Sequence, residues 1–276
     1  MLKKLTLAAL LALAYNAQAA NVLVVLSDEH SLDLKAGKTY ATGFYMNELM
    51  QPVKMLLDAG HSVTFATPNG KAPAVDKNSV NVMFFGGDQA AMDAHQQLLD
   101  KLRITDPVNS PVISLARVEQ QGYAKYDAIY VPGGHAPMQD LLVSESLGKL
   151  LRNFHDANKT TALVCHGPIS LLSAMPDAKG FTAKLAAQKP VKAPHWTYSG
   201  YKVAVFTDTE EEASKGQLGG GDMKFWPQDA LTAAGLKFSK AGDWQSYMVT
   251  DRELITGQNP ASAPAVGAEL LKRLAH

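Results

Sequence analysis

Short, almost continuously apolar runs that alternate with stretches of helical periodicity restrict this chain more than any other feature. Asn21-Val-Leu-Val-Val-Leu26, Ser62-Val-Thr-Phe-Ala66, Ala128-Ile-Tyr-Val131, Thr161-Ala-Leu-Val164 and Lys202-Val-Ala-Val-Phe206 are too short for helices and lack the polar alternation of a strand with one wet face. Residues 43–59 carry apolar positions at helical spacing and stop at Gly60, a usual C-terminal signal. Residues 93–103, 114–121 and 261–275 also read as helices, and Trp244–Val249 and Leu254–Thr256 as further strands. Buried strands alternating with helices are satisfied by a parallel sheet covered on both faces. The expectation is therefore an α/β sandwich with a mostly parallel sheet.

The first residues obey a different grammar. Lys3 and Lys4 precede a short apolar core, Leu5–Ala14, and Ala17-Gln18-Ala19 has the small-x-small pattern of a leader cleavage site. Residues 1–19 are expected to be a signal peptide. Residues 20–276 are then a single α/β domain with a small cap segment around 71–125, located in the periplasm or secreted. The leader's apolar core is too short to serve as an anchor, so no membrane association is expected after cleavage. Lysine and arginine balance aspartate and glutamate at 26 each, and no basic stripe is present, which argues against nucleic acid as a partner.

Export gives the cysteine count its meaning. Exported chains commonly pair their cysteines, yet this one has a single cysteine, Cys165, and cannot form an internal bridge. Cys165 ends an apolar run and is followed by His166-Gly167-Pro168, so the thiol sits where a strand gives way to a helix start, the geometry of a nucleophile elbow. A helix beginning near Gly167 would bring its positive end close to the sulfur and lower the thiol pKa. His166 supplies a base, which needs a third group to orient it. Thr207-Asp-Thr-Glu-Glu211 offers several carboxylates after another run, and residue types alone do not choose among them.

Glu48 is out of place. It lies within the stripe Phe44, Tyr45, Leu49, Pro52, Val53 and Leu56, where burial should raise its pKa. Pro52, four residues on, has no N–H for the Glu48 carbonyl, so the helix is expected to distort there. Gly133-Gly134 follows a strand and offers backbone amides to a ligand. There is no phosphate-loop pattern, and no His/Cys cluster has zinc spacing, so neither cofactor nor metal is expected.

Taken together, these segments resemble the ThiJ/PfpI superfamily, related to class I glutamine amidotransferases. The likeness is strongest to its heat-shock chaperone and glutathione-independent glyoxalase branch. It is carried by Thr42-Gly-Phe-Tyr-Met-Asn-Glu48, by Tyr126-Asp-Ala-Ile-Tyr-Val-Pro-Gly-Gly-His135 with Asp140-Leu141, and by Val164-Cys-His-Gly-Pro168. Phe206-Thr-Asp-Thr-Glu-Glu211 and Leu254-Ile-Thr-Gly-Gln-Asn-Pro260 complete it. The resemblance implies a flavodoxin-like fold, Cys165 as nucleophile, His166 as its partner, Glu211 as the triad acid and Glu48 as the acid beside the thiol. It also implies an oxyanion and substrate site at Gly133, Gly134 and His135, with the amides of Gly134 and His166 as donors. Ala136-Pro137 replaces the glycine that often follows this histidine in the family, and the metal-binding histidines of some chaperone members have no match near Glu48.

The implied activity is a cofactor-free glyoxalase, a lyase that converts methylglyoxal or a related aldehyde to a hydroxy acid through a hemithioacetal on Cys165. Two other readings fit the same residues: a cysteine peptidase or amidase, and an envelope holdase chaperone or thiol stress sensor. The resemblance further implies a homodimer, a small aldehyde as the binding partner and, for the chaperone role, misfolded-protein clients.

Overall fold

The computed structural model describes residues 19–275. The leader expected over 1–19 therefore falls, Ala19 excepted, outside the described residues. The chain opens with β1 (Asn21–Val25), a small antiparallel pair β2 (Ser31–Asp33) and β3 (Thr39–Ala41), and helix α1 (Met46–Asp58). It continues with β4 (Ser62–Thr67), α2 (Gln89–Leu102), β5 (Ile113–Ser114), α3 (Leu115–Gln121), β6 (Ala128–Val131), α4 (Glu145–Asp156) and β7 (Thr160–Val164). Then come α5 (Ala178–Ala186), β8 (Lys202–Val203), α6 (Asp208–Ser214), α7 (Pro227–Ala233), β9 (Lys237–Phe238), β10 (Met248–Asp251), β11 (Leu254–Gly257) and α8 (Ala263–Leu274).

Seven strands form the main sheet in the order β10-β11-β7-β6-β1-β4-β5, parallel throughout except for β10 at one edge. The expected α/β sandwich with a mostly parallel sheet is what the chain forms. Its two faces are visible within β1: Val22 and Val24 pack with Leu49 and Val53 of α1 and Val266 and Leu270 of α8, whereas Leu23 and Val25 pack with Leu147, Leu150 and Phe154 of α4. Side chains of a strand alternate between faces, so an all-apolar β1 must be covered twice. The chain leaves β1 first toward β4 and later returns to its other side with β6. The resulting reversal of winding opens a crevice at the carboxyl ends of these strands, the usual ligand position in such sheets.

Three local expectations are corrected. Lys202–Phe206 does not extend the main sheet: only Lys202–Val203 is strand, and it pairs with β9. The rest of that run is buried, but the Ala204 N–H goes to Thr256 Oγ1 and the Phe206 N–H to the Cys165 carbonyl, leaving no ladder to continue. Trp244 lies outside any strand, with φ of 63°, and β10 starts only at Met248. The residues after Cys165, Gly167–Ala174, wind as a 3-10 helix rather than an α-helix.

Candidate active site

Cys165 directly follows β7 and has φ of 60°, a left-handed conformation that residues with a Cβ adopt rarely. Two hydrogen bonds hold it there: its N–H donates to the Gly257 carbonyl at 2.9 Å, and its carbonyl accepts from the Phe206 N–H at 3.0 Å. Strain over-determined by its surroundings is typical of reactive positions, and here it lifts the sulfur above the strand end. The thiol is nonetheless only 2% exposed and borders a cavity of about 290 Å3 that Tyr45, Phe84, His135, His166, Phe206 and Trp244 also line.

His166 turns its Nδ1 to the sulfur at 3.3 Å and its Nε2 to Glu211 Oε1 at 2.7 Å. The ring stacks on Phe206 with centroids 4.7 Å apart, which fixes its plane. Among the carboxylates of residues 207–211, the fold selects Glu211 for this contact. Thr207 caps α6 in a reciprocal capping box with Glu210, and that start of the helix sets the direction in which Glu211 projects. Burial pushes Glu211 upward, but the charge and hydrogen bond of His166, with His135 close by, outweigh it and hold Glu211 at about 2. Burial lowers His166 despite its anionic partner. Neutral imidazole and ionised carboxylate are thus the resting forms, as a base beside a thiol requires.

Glu48 is fully buried, so the helix phase read from the sequence is right. Its Oε2 accepts the Gly133 N–H at 2.7 Å, and its carboxyl reaches the Cys165 thiol. Burial raises Glu48 to about 8, so the acid is mostly protonated at neutral pH. Burial likewise pushes the Cys165 thiol up, assisted by the Glu48 carboxylate. This overturns the expected lowering of the thiol by a helix start. Protonating Glu48 removes the repulsive charge and leaves an O–H donor for the sulfur; the Gly134 amide is a second donor to it.

Helix α1 runs from Met46 to Asp58 with Pro52 inside it, and the Glu48 carbonyl that Pro52 cannot serve accepts a hydrogen bond from the Tyr130 hydroxyl of β6.

The two glycines serve different ends. The Gly133 amide is taken by Glu48 and is not available to an oxyanion, which revises its expected place in that site. A Cβ on Gly133 would stand 2.6 Å from both the Cys165 Cβ and Glu48 Oε2, so only glycine permits this approach. Gly134, with φ of 89°, turns the chain toward His135. His135 lies beside the His166 ring, centroids 4.3 Å apart, with Nε2 3.7 Å from Glu211 Oε2, and neither of its ring nitrogens has a hydrogen-bond partner among the described residues. Spacing along the chain gave no sign of a metal site, yet ligand atoms of His135 after β6, His166 after β7 and Glu211 in α6 come within 4.8 Å of one another.

Several residues of the site had no role assigned from the sequence. Glu210 is fully buried and accepts hydrogen bonds from Trp244 N, Gln258 Nε2 and Asn259 Nδ2, tying the loop before β10 to α6. Met83 and Phe84, from the segment between β4 and α2, wall the cavity. Glu210 within the Thr207–Glu211 run, and Asn259-Pro260 with Gln258 just before it, were the visible traces of the Glu210 network.

Comparison with known proteins finds relatives over most of the chain. A family model described as ThiJ/PfpI family-like matches residues 40–210. A protein/nucleic acid deglycase HchA of Staphylococcus aureus is 28% identical over 256 residues, covering 92% of this chain and 80% of its own length. Rapid encystment protein 24 kDa of Francisella tularensis superposes with a TM-score of 0.70 at 23% identity, covering 92% of this chain and 99% of that one. Glyoxalase III of Candida albicans gives 0.67 at 20% identity, with 92% and 96% covered. The last two likenesses concern the fold.

Proposed function

The chain belongs to the ThiJ/PfpI-like family, and from that footing we propose that it is a cofactor-free enzyme acting on reactive carbonyls, converting 2-oxoaldehydes to 2-hydroxy acids through Cys165. The observation that carries this reading is the buried, protonated Glu48 at a thiol already served by the His166–Glu211 pair. Acyl transfer by a cysteine triad needs no such second acid, whereas moving a proton between two adjacent carbons does. The similarity to the Staphylococcus aureus protein/nucleic acid deglycase supports the carbonyl class.

In this scheme the Cys165 thiolate adds to the aldehyde carbon and forms a hemithioacetal. His166 removes the hydrogen of that carbon while Glu48 protonates the ketone oxygen; His166 then delivers its proton to the neighbouring carbon as the hydroxyl on the sulfur-bearing carbon returns a proton to Glu48, so that the ketone becomes a secondary alcohol. The sulfur-bearing carbon is now a thioester, which water hydrolyses to the hydroxy acid and the free thiol. The sum is aldehyde plus water, with no external oxidant or reductant. The Gly134 and His166 amides stabilise the oxyanion at the addition and hydrolysis steps.

Purified protein lacking residues 1–19 should produce D-lactate from methylglyoxal, and Cys165→Ala should abolish it. Absence of turnover, or turnover unchanged in Cys165→Ala, overturns the proposal. Release of amine from peptide or amide substrates, lost in Cys165→Ser, would instead establish a hydrolase.

A further inference from the structure

A second cavity of about 380 Å3 adjoins the thiol cavity, and the two share Met83, Phe84, Trp244 and Pro260. The thiol cavity alone, at about 290 Å3, exceeds what a three-carbon dicarbonyl fills, since a space of roughly 150 Å3 already admits benzene. No charged side chain lines the second cavity; its polar members are Asn47, Gln51 and Asn259. Phosphates and nucleotides would find no ionic partner there.

The wall between the cavities is built rather than incidental. Trp244 is 48% exposed and Met83 66%, large apolar surfaces set side by side at the mouth of a reactive pocket. Trp244 holds a left-handed backbone, and its N–H donates to Glu210 Oε1 at 2.8 Å. Among the described residues Glu210 has no cationic partner, and it spends its hydrogen-bonding capacity on this loop and its neighbours, with Asn259 Nδ2 at 2.7 Å and Gln258 Nε2 at 3.1 Å. The indole meets Phe206 edge-on at 5.7 Å, and Phe206 stacks on His166. An apolar surface is thereby fixed in register with the base that acts on the substrate.

We infer that the preferred substrates are 2-oxoaldehydes whose ketone carries an aryl or branched alkyl group, with that group seated against Met83, Phe84 and Trp244 while Cys165 takes the aldehyde. This rests on the 2-oxoaldehyde reading above and specifies its substrate. The occupant is argued from continuity: a substituent on the attacked dicarbonyl has the adjoining uncharged cavity before it.

The test compares kcat/KM for phenylglyoxal and methylglyoxal, followed as hydroxy acid formed, in the wild type, in Trp244→Gly and in Met83→Lys. Glycine suits the left-handed backbone at 244, so this variant removes the wall without straining the loop. Lysine at the exposed position 83 places a charge in the wall; thermal melts confirm that both variants fold. The ratio of the two kcat/KM values, compared between proteins, cancels the intrinsic reactivity of the aldehydes. The wild-type ratio should exceed that of either variant by about tenfold or more, the size of effect an apolar pocket exerts on its complement. Methylglyoxal turnover with an unchanged ratio in both variants overturns the inference and leaves the enzymatic reading standing. No turnover of either aldehyde overturns both.

Discussion

Glu48 is held at both of its ends by the strand it faces. Its carboxyl accepts the Gly133 amide just past β6, and its carbonyl accepts the Tyr130 hydroxyl within β6. The acid's position is thus set by the sheet, and its protonation by burial. Between its ordinary value of 4.5 and about 8 the folded chain keeps a proton that the unfolded chain has released. This contribution to stability is full below about 4.5 and is lost as pH rises to about 8, on the order of a few kcal/mol in total. Glu211 acts in the opposite sense: its stabilisation is present above 4.5 and is lost as pH falls toward about 2. Glu48→Gln should flatten the decline of the urea midpoint between pH 5 and 8 while lowering kcat for 2-oxoaldehydes by about 10^2-fold or more. A variant with wild-type kcat would remove Glu48 from the chemistry, and an unaltered pH slope would contradict the raised pKa.

At the level of elements, the pairing of α1 with β6 replaces a backbone hydrogen bond with a side-chain one. Pro52 leaves the Glu48 carbonyl without its helical donor, and the Tyr130 hydroxyl supplies it; burial keeps that phenol protonated and able to donate. Tyr130→Phe leaves a buried acceptor unsatisfied and should cost about 1–3 kcal/mol in urea unfolding. Pro52→Ala restores an N–H at the fourth residue after Glu48, so Tyr130→Phe made in that background should cost less. Equal costs in both backgrounds would show that the two groups do not serve the same carbonyl. Only the first half of this arrangement was legible in the sequence: the missing donor follows from Pro52, but the compensating hydroxyl lies 82 positions from Glu48 and leaves no local trace.

For the whole molecule, the alternating grammar of strands and helices was enough to give the sheet, because strands buried on both faces have a composition that little else shares. The 202–206 run was misread for the same reason, being buried like a sheet strand while its hydrogen bonds go to Thr256 and Cys165. Cys165, His166 and Glu48 stood out as isolated chemical anomalies; Glu211 was singled out from its neighbours only by the family resemblance, and the Trp244 wall needed the Glu210 network to be seen. At the N-terminal side, Ala20 is already part of the fold, its N–H donating to His61 Nδ1 at 3.1 Å and its carbonyl accepting from Ser62 N at 2.8 Å. We propose export with cleavage after Ala19, which leaves this anchored residue as the new terminus. Intact mass of the protein recovered from the cell envelope or medium should be lower than that of the full chain by residues 1–19, and retention of those residues in the cytoplasm would refute it.

The lone thiol turns the protein into its own gauge. Every equivalent of a sulfhydryl reagent consumed by the folded chain is consumed at the floor of one cavity, since there is no second cysteine to share the signal. A series of alkylating agents of increasing girth, read against the total titre after unfolding, would therefore measure the width of the doorway, with the steepest drop in rate marking where Trp244 and Met83 begin to obstruct.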